Sequence, residues 1–282
     1  MGGGCGARDF TINALYADPV GGAVYDPVGG MADLEARRVV FIGDAAMRID
    51  EDHLRILRWF RFLGRFGDGA VDEATFAVVA GRSAKLRGLS RERIADELLR
   101  ILALTDPVET LALMERAGVV AEIVPEALPD AVARVRALVA NEVAAGMAGD
   151  ASLRLIALLP VDAAVAGNVA HRLKLSKRTH KRVAAARGGG IALPIRALAY
   201  RIGIEGARDR VLLGDGSALA LLGAIDDWVV PQLPIGGGEL VALGVPPGPD
   251  VARLLYAVED RWVAEGFPDR QRAMAIAREV VR

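Results

Sequence analysis

Residues 48–65 read RIDEDHLRILRWFRFLGR, and this stretch decides how the rest of the chain is interpreted. Arg55, Arg58, Arg61 and Arg65 recur at spacings of three, three and four residues, which is the periodicity of an α-helix. The large apolar side chains fill most of the other directions: Ile56, Leu57, Trp59, Phe60, Leu63 and Phe66. The pattern predicts one helix with a core face and a second face of arginines, which we call the arginine face.

The acidic residues before the arginines predict where this helix begins. Asp50 is the expected N-cap, with Glu51 and Asp52 in the first turn, where the helix dipole favours carboxylates. Beyond that turn the helix has no acidic residue four positions from an arginine. We therefore expect the arginine face to meet an external anion, and a phosphate group suits guanidinium geometry best. A solvated charged surface is the alternative interpretation.

The composition of the chain favours a mostly α-helical protein. Hydrophobic residues make up 52% of the 282 residues while aromatic residues make up only 5%, as in Ala-, Leu- and Val-rich helices. The net charge of −1 excludes a global basic surface, so contact with nucleic acid requires local patches. Cys5 is the only cysteine, which excludes a disulfide framework and favours a cytoplasmic location. Long apolar runs are interrupted by charges, so no membrane association is predicted.

Two short β-type segments precede the helical part. Val24-Tyr25 and residues 39–42 are apolar runs bounded by turn residues, and two such strands do not form a stable sheet alone. Beyond Asp44 the chain is predicted to be helical, with Ser90 as an N-cap and Gly118 as a C-terminal stop. Further helices are predicted at 129–144, 151–159, 162–173, 176–187, 194–203, 205–213 and 249–265. The Gly- and Pro-rich stretch 231–249 is predicted to be a loop containing a short helix.

A second basic stretch lies between residues 172 and 187, which contain seven Lys or Arg residues and no acid. A local excess of this kind in a near-neutral protein indicates contact with a phosphate backbone, which would make binding dependent on salt. A solvated surface turn is the alternative. The candidate RNA-binding residues are Arg172, Lys174, Lys177, Arg178, Lys181 and Arg182.

Several motifs resemble one enzyme family in their order and spacing. They are RDFTINA at 8–14, DPVGGMADL at 26–34, the stretch from Arg48 to Phe62, SRERIADEL at 90–98, and segments within 114–126 and 234–262. The chain resembles the class II CCA-adding enzymes, which are tRNA nucleotidyltransferases, and the related bacterial poly(A) polymerases. The resemblance covers almost the whole chain, and it is more specific for the superfamily than for either activity.

The resemblance implies roles for individual residues. Asp52 and Arg55 would imitate a Watson–Crick partner and select CTP and then ATP without a template. Arg58 and Arg61 would help to hold the nucleotide, and Arg8 would contact its sugar and triphosphate. A hinge-like loop would contain Asp26, Gly29, Gly30 and Asp33, although paired glycines also suit an ordinary tight turn.

The resemblance also implies a Mg²⁺ cofactor, held by two carboxylates upstream of the Arg8 motif. Only seven residues precede Arg8 here, and Ala7 stands where the family usually has another arginine. The metal ligands are not found in this chain, so we expect the catalytic front of the head domain to be missing. The scattered histidines His53, His171 and His180 do not predict a metal site.

The predicted organisation has three segments. Residues 1–45 would be a β remnant of a nucleotidyltransferase head, residues 46–127 a nucleotide-reading helical neck, and residues 128–282 a helical body and tail that binds tRNA. The expected partners are the tRNA acceptor arm, CTP and ATP, with a homodimer possible in principle. Three functions stay open: a CCA-adding enzyme, a poly(A)-type polymerase that uses ATP alone, and a non-catalytic tRNA-binding remnant.

Overall fold

A computed structural model describes residues 8–127 and 129–282. The chain divides into two compact units, the first ending at Gly188 and the second spanning Gly189–Arg282. This division differs from the three segments predicted from the sequence, because it falls inside the predicted 128–282 segment. Residues 1–7 of the predicted head remnant lie outside the described residues.

The N-terminal part of the first unit contains a two-stranded hairpin and a separate β-bridge. Strand β1 (Tyr16–Ala17) pairs antiparallel with β2 (Val24–Tyr25), and all four residues are exposed. The predicted strand at Val24-Tyr25 is therefore present. The predicted strand at 39–42 is reduced to a bridge between Phe41 and Phe10, whose rings lie 4.9 Å apart. Both of these phenylalanines are buried, so this bridge belongs to the core while the hairpin does not.

Helices form the rest of the first unit. They are α1 (Gly30–Glu35), α2 (Ala45–Glu51), α3 (Arg55–Phe66), α4 (Glu73–Ala80), α5 (Arg91–Leu102), α6 (Val108–Arg116), α7 (Val119–Ile123), α8 (Ala131–Ala144), α9 (Ala151–Leu158), α10 (Ala163–Arg172) and α11 (Lys177–Arg187). Ser90 caps α5 by accepting a hydrogen bond from the Arg93 backbone N–H, as predicted. Gly118 lies between α6 and α7 at φ 72°, a left-handed conformation that glycine adopts easily.

The prediction of one helix beginning at Asp50 is wrong. The chain forms α2 with Asp44 as its N-cap, breaks at residues 52–54, and starts again as α3. Asp52 has the extended conformation φ −150°, ψ 104° that ends α2. The acidic residues therefore lie at the end of one helix and not at the beginning of another.

The core of the first unit forms along the apolar face of α3. Trp59 and Phe60 are almost fully buried, and α3 packs against α5 and α6. The indole Nε1 of Trp59 donates to the Val39 carbonyl at 3.2 Å, which satisfies the one polar atom of this side chain. The arginine face of α3 is held by ion pairs to Asp9 and to Glu97 of α5.

The second unit consists of α12 (Ile195–Leu212), α13 (Gly237–Ala242), α14 (Pro249–Ala264) and α15 (Arg270–Val281). Gly203 interrupts α12 at φ 83°, ψ 158°, as expected from the separate helices predicted at 194–203 and 205–213. The helix α13 is the short helix predicted inside the Gly- and Pro-rich stretch. Sequence reasoning missed α15, which is capped by Asp269. Trp262 and Ile276 lie in the core of this unit.

No single helix in the described part of the chain is long and apolar enough to cross a membrane. The helices α9 and α10 have the required length and composition only when taken together, and the chain bends by 119° between them.

Candidate functional site

Asp52 lies in the break between α2 and α3. Its Oδ1 accepts a hydrogen bond from the Leu54 backbone N–H at 3.1 Å, and its Oδ2 accepts from Arg93 Nη2 at 2.7 Å. Partial burial opposes ionisation, but these hydrogen bonds and the charges of Arg93 and Arg55 together lower the pKa of the Asp52 carboxyl. The side chain is therefore an ionised, oriented acceptor, although it does not share a helix with Arg55 as the sequence suggested.

Asp9 holds two arginines of α3 at once. Arg55 Nε donates to its Oδ1 at 2.7 Å, and Arg58 Nε donates to its Oδ2 at 2.5 Å. Asp9 is buried, and so is Arg55 at 9% exposure. A buried charge requires a counter-charge with good geometry, and this carboxylate supplies it to both guanidinium groups. We call Asp9, Arg55 and Arg58 the arginine clamp.

Arg55 makes further contacts through Nη1, which donates to Glu51 Oε2 at 2.6 Å and to the Arg48 carbonyl at 2.5 Å. Burial alone would lower the pKa of Arg55, but the hydrogen bonds from Arg55 to Glu51 and Asp9 raise it overall. Among the described residues, Nη2 of Arg55 has no hydrogen-bond acceptor. One edge of the guanidinium is thus fixed and another keeps its N–H groups for a ligand.

Arg61 and Arg65 complete the arginine face in different ways. Arg61 Nε donates to Glu97, which is 2% exposed, and its guanidinium lies 4.9 Å from the centroid of the Phe62 ring. Arg65 is exposed and lies over the Phe66 ring at 5.3 Å. Arg55, Arg58 and Arg61 thus already have counter-charges within the protein, most of them from distant parts of the chain. That the arginine face meets an external anion stays a prediction.

Arg8 is exposed beside the arginine clamp. Its backbone carbonyl accepts a hydrogen bond from Arg48 Nη2 at 2.7 Å, which ties residues 8–9 to α2. Arg48 also donates to Glu51 at 2.6 Å. The structure thus brings Arg8, Arg55 and Arg58 into one neighbourhood through Asp9 and Arg48.

The predicted hinge loop is held by its own carboxylates. Asp26 accepts from the backbone N–H groups of Gly30 at 2.7 Å and Met31 at 2.9 Å, and the bonds from Met31, Gly30 and Val28 lower the pKa of Asp26. Gly29 has φ 81°, and a Cβ on Gly30 would lie 2.2 Å from the Thr11 carbonyl oxygen. Both glycines are therefore required by the backbone, each for a different reason.

Asp33 connects this loop to the arginine clamp. Its Oδ2 accepts from the Thr11 hydroxyl at 2.7 Å, while its Oδ1 accepts from Arg38 Nη2 at 2.9 Å. Thr11 follows Asp9 by two residues, and its backbone N–H donates to the Val40 carbonyl at 3.0 Å. The loop and the clamp consequently share the segment 9–11 as a common support.

The basic stretch forms the end of α10, a turn and the start of α11. Arg172 is paired with Glu126, Lys174 with Glu92, and Arg182 with Asp150. Lys177 and Lys181 are exposed, and Arg178 is exposed as well but is engaged in an interaction. The stretch therefore combines cations held by carboxylates with the solvent-facing cations Lys177 and Lys181.

The Mg²⁺ ion implied by the resemblance needs oxygen ligands that converge on one point. Among residues 8–127 and 129–282, no three or more His, Cys, Asp or Glu side chains form a group that could hold a metal ion. The carboxylates of the candidate site are instead engaged by arginines and backbone N–H groups. The described residues do not fit the ion, and we assign it no step.

Sequence reasoning missed three residues that the structure places in the site: Asp9, Arg93 and Glu97. Asp9 lies in the quoted RDFTINA motif, next to the buried Phe10, and this position was a signal for a buried carboxylate. Arg93 and Glu97 are four residues apart on α5, so they face the same direction. Nothing local to α5 indicates that the direction is toward Asp52 and Arg61.

Comparison with known proteins relates this arrangement to one enzyme family. A family model described as "Poly A polymerase head domain" matches residues 5–40, and one described as "Probable RNA and SrmB- binding site of polymerase A" matches residues 70–130. CCA tRNA nucleotidyltransferase 1, mitochondrial, of Mus musculus is 31% identical over 278 residues, covering 92% of this chain and 62% of that protein. The CCA-adding enzyme of Bordetella bronchiseptica is 37% identical over 142 residues, covering 50% of this chain and 37% of that protein.

Solved structures give the same result for the fold. The Bacillus stearothermophilus CCA-adding enzyme in complex with CTP matches with a TM-score of 0.73 and 22% identity, covering 96% of this chain and 72% of that one. The Thermotoga maritima CCA-adding enzyme complexed with tRNA_CCA matches with a TM-score of 0.69 and 20% identity, covering 98% and 72%. The fold is thus the multi-helical fold of CCA-adding enzymes.

These matches relate the chain to the class II CCA-adding enzymes, which are the CCA tRNA nucleotidyltransferases, and to poly(A) polymerases. The chain spans 62% of the length of the Mus musculus relative.

Proposed function

We propose that this protein serves tRNA 3′-terminal CCA addition, by selecting CTP and ATP at Asp52 and Arg55 and by holding the tRNA acceptor arm. The names of the relatives and the resemblance of the motifs support this function. The single observation that carries it is the hydrogen bonding of Asp52 and Arg55. Each is fixed on one side by protein partners and keeps hydrogen-bonding capacity on another.

The chemistry of this pair suits two of the four bases. Cytosine and adenine each present an amino donor beside an acceptor ring nitrogen, whereas uracil and guanine present an oxygen acceptor beside a ring N–H. Asp52 oxygens have lone pairs beyond those used by Arg93 and Leu54, and Arg55 Nη2 has N–H donors. The carboxylate would accept from the amine while the guanidinium donates to the ring nitrogen.

The arginine clamp makes this selection rigid. Asp9 and Glu51 hold Arg55 in one orientation, so the unbonded Nη2 edge does not have to be ordered when the nucleotide binds. Arg58 would place its remaining N–H groups on the phosphates, and exposed Arg8 would contact the sugar and triphosphate. Arg61 would support the site through Glu97 instead of contacting the nucleotide directly.

Residues outside the nucleotide site would serve movement of the head and binding of tRNA. The loop containing Asp26, Gly29, Gly30 and Asp33 would act as the hinge between the head and the neck. The α10–α11 stretch would contact tRNA through its six basic residues. A cytoplasmic location and a homodimer are further proposals, the second of which light scattering of the purified chain would test.

The test is competition binding of the four ribonucleoside triphosphates to the 282-residue chain. We expect CTP and ATP to bind more tightly than UTP and GTP, and Asp52→Ala to remove the difference. Arg136→Gln, which changes an exposed arginine paired with Glu109, is the matched control and should retain it. Equal binding of all four nucleotides by the unaltered chain would contradict the base-reading role.

A parallel assay follows incorporation of labelled CTP and ATP into tRNA lacking its 3′ terminus, in the presence of Mg²⁺. Addition that stops after C, C and A indicates CCA addition. A poly(A)-type polymerase is the second candidate, because both matched family models are named for polymerase A. That activity would use ATP alone and show no preference for tRNA ends. Selective binding without incorporation would indicate the nucleotide-reading and tRNA-holding part alone.

A further inference from the structure

A cleft of about 720 Å³ lies at the junction of α10 and α11. It is lined by His171, Arg172, Lys174, Leu175, Lys177 and His180. Three of these six side chains are cationic, two are imidazoles, and none is a carboxylate. The volume falls within the usual range of small-molecule sites, so the cleft accommodates more than a single ion.

The cations in this cleft are of two kinds, ion-paired and exposed. Arg172 and Lys174 are held by Glu126 and Glu92, each at 2.5 Å, and these carboxylates do not line the cleft. Lys177 is exposed at the first position of α11, whose first turn contains no acidic residue. A lysine at a helix N-terminus is unfavourable for the helix, since it adds positive charge to the positive end of the dipole. The combination is complementary to an anion.

Two imidazoles and one apolar side chain form the rest of the cleft. The rings of His171 and His180 lie 6.2 Å apart with an interplanar angle of 62°. Leu175 lies between the two histidines in the sequence, and its side chain is half-buried. Flat rings beside an apolar surface provide a place for a nucleobase, as in sites for unpaired RNA strands.

We propose that this cleft binds one nucleotide unit of an RNA strand, with its phosphate on Lys177 and its base against His171, His180 and Leu175. The inference rests on the proposed tRNA-binding function and deepens it, because it assigns a defined subsite within the basic stretch. The ligand chemistry is a phosphate joined to a planar base. An RNA strand and a free nucleotide both have this chemistry, and the argument favours RNA because the cleft lies within an extended basic surface that includes Lys181.

The experiment measures binding of tRNA lacking its 3′ CCA by fluorescence anisotropy as a function of salt. Lys177→Gln should weaken binding about three- to tenfold at 0.1 M salt and reduce the slope of log K against log salt by about 1. The double variant His171→Ala with His180→Ala, which removes both rings, should weaken binding about three- to tenfold with little change in the salt slope. Arg136→Gln, an exposed cation outside the cleft, controls for the loss of one charge.

Three results would overturn the subsite. If Lys177→Gln and Arg136→Gln weaken tRNA binding equally, then binding depends only on the total charge of the protein. Unchanged tRNA binding by the double histidine variant would mean that the base does not pack against the imidazoles. Loss of CTP and ATP binding in these variants, with tRNA binding intact, would assign the cleft to free nucleotides. Selective CTP and ATP binding is measured in the same samples, so failure of the subsite is distinguishable from failure of the base-reading function.

Discussion

The two basic regions of this protein, the arginine face of α3 and the α10–α11 cleft, differ in how their positive charges are neutralised. On α3, Arg55 and Arg58 are held by one buried carboxylate and Arg61 by another, so the protein supplies the counter-charges itself. At the α10–α11 junction the cleft has no carboxylate in its lining, and Lys177 faces solvent. The first arrangement fixes donors in space, as the proposed selection between similar bases requires. The second leaves charge available to a large, flexible polyanion.

The largest expected effect breaks the arginine clamp. Asp9→Asn would leave Arg55 and Arg58 without their shared counter-charge, and we expect a loss of about 3 kcal/mol in the free energy of unfolding. Urea denaturation measures this loss. Asp260→Asn, which removes the exposed partner of Arg201, is the control for an ordinary ion pair. If Asp9→Asn is no more destabilising than this control, the clamp is not an important structural contact.

Glu97→Gln tests the second counter-charge of the arginine face. Glu97 is buried and Arg61 is mostly buried, so we expect a loss of about 2 kcal/mol. The preference for CTP and ATP should survive, because Arg61 is proposed to support the site without contacting the base. Loss of that preference with little change in stability would instead make Arg61 a nucleotide-contacting residue.

Ser90→Ala tests how α5 is positioned against Asp52. The Ser90 hydroxyl caps α5 one turn before Arg93, and removal of such a cap costs about 1 kcal/mol. Thermal unfolding should show this loss, while Ser90→Asp, which retains a capping oxygen, should show little change. Equal destabilisation by both variants would mean that the cap does not contribute as the geometry suggests.

Acid conditions test the ionised state of Asp52. The pKa of its carboxyl is lowered from the ordinary 3.8 in the folded protein, so its contribution to stability is fully present above that value. The contribution is lost as the pH falls through the folded pKa. We expect Asp52→Asn to reduce the difference in stability between pH 7 and pH 3, as measured by urea denaturation at each pH. If Asp52→Asn leaves the difference between pH 7 and pH 3 unchanged, the pKa of Asp52 is the same in the folded and unfolded protein.

The smallest effect on stability is expected at the exposed basic cleft. Lys177→Gln should change the free energy of unfolding by less than about 0.5 kcal/mol, because the side chain is solvated. Denaturation alongside the tRNA-binding measurement checks this. A substantial loss of stability would mean that Lys177 is a structural residue, and the comparison between the two regions would then fail.

The sequence predicts the helical architecture well, because helix starts and stops are local. Ser90, Gly118 and the periodicity of residues 131–187 place their helices within a few residues of those observed. The break between α2 and α3 was not predicted, since its acidic run fits a helix beginning as well as a helix end. The helix α15 was overlooked although Asp269 provides a recognisable N-cap.

The candidate site was predicted in its residue types more than in its contacts. Arg55, Arg58 and Arg61 were identified from their spacing, but their partners Asp9 and Glu97 lie 46, 49 and 36 residues away. A helical pattern specifies which residues share a face and contains no information about what lies opposite. The ion pairs of the arginine face were not predicted for this reason.

The kink at Gly203 makes α12 prone to local opening at this position. Helical hydrogen bonding does not continue through a residue at φ 83°, ψ 158°, so the two halves of α12 are separate cooperative segments. Amide hydrogens of the few residues after Gly203 should exchange with deuterium faster than those near Leu198 or Val211, which are buried well inside each half. The chain around Gly203 would then also be the first place in α12 where a protease gains access.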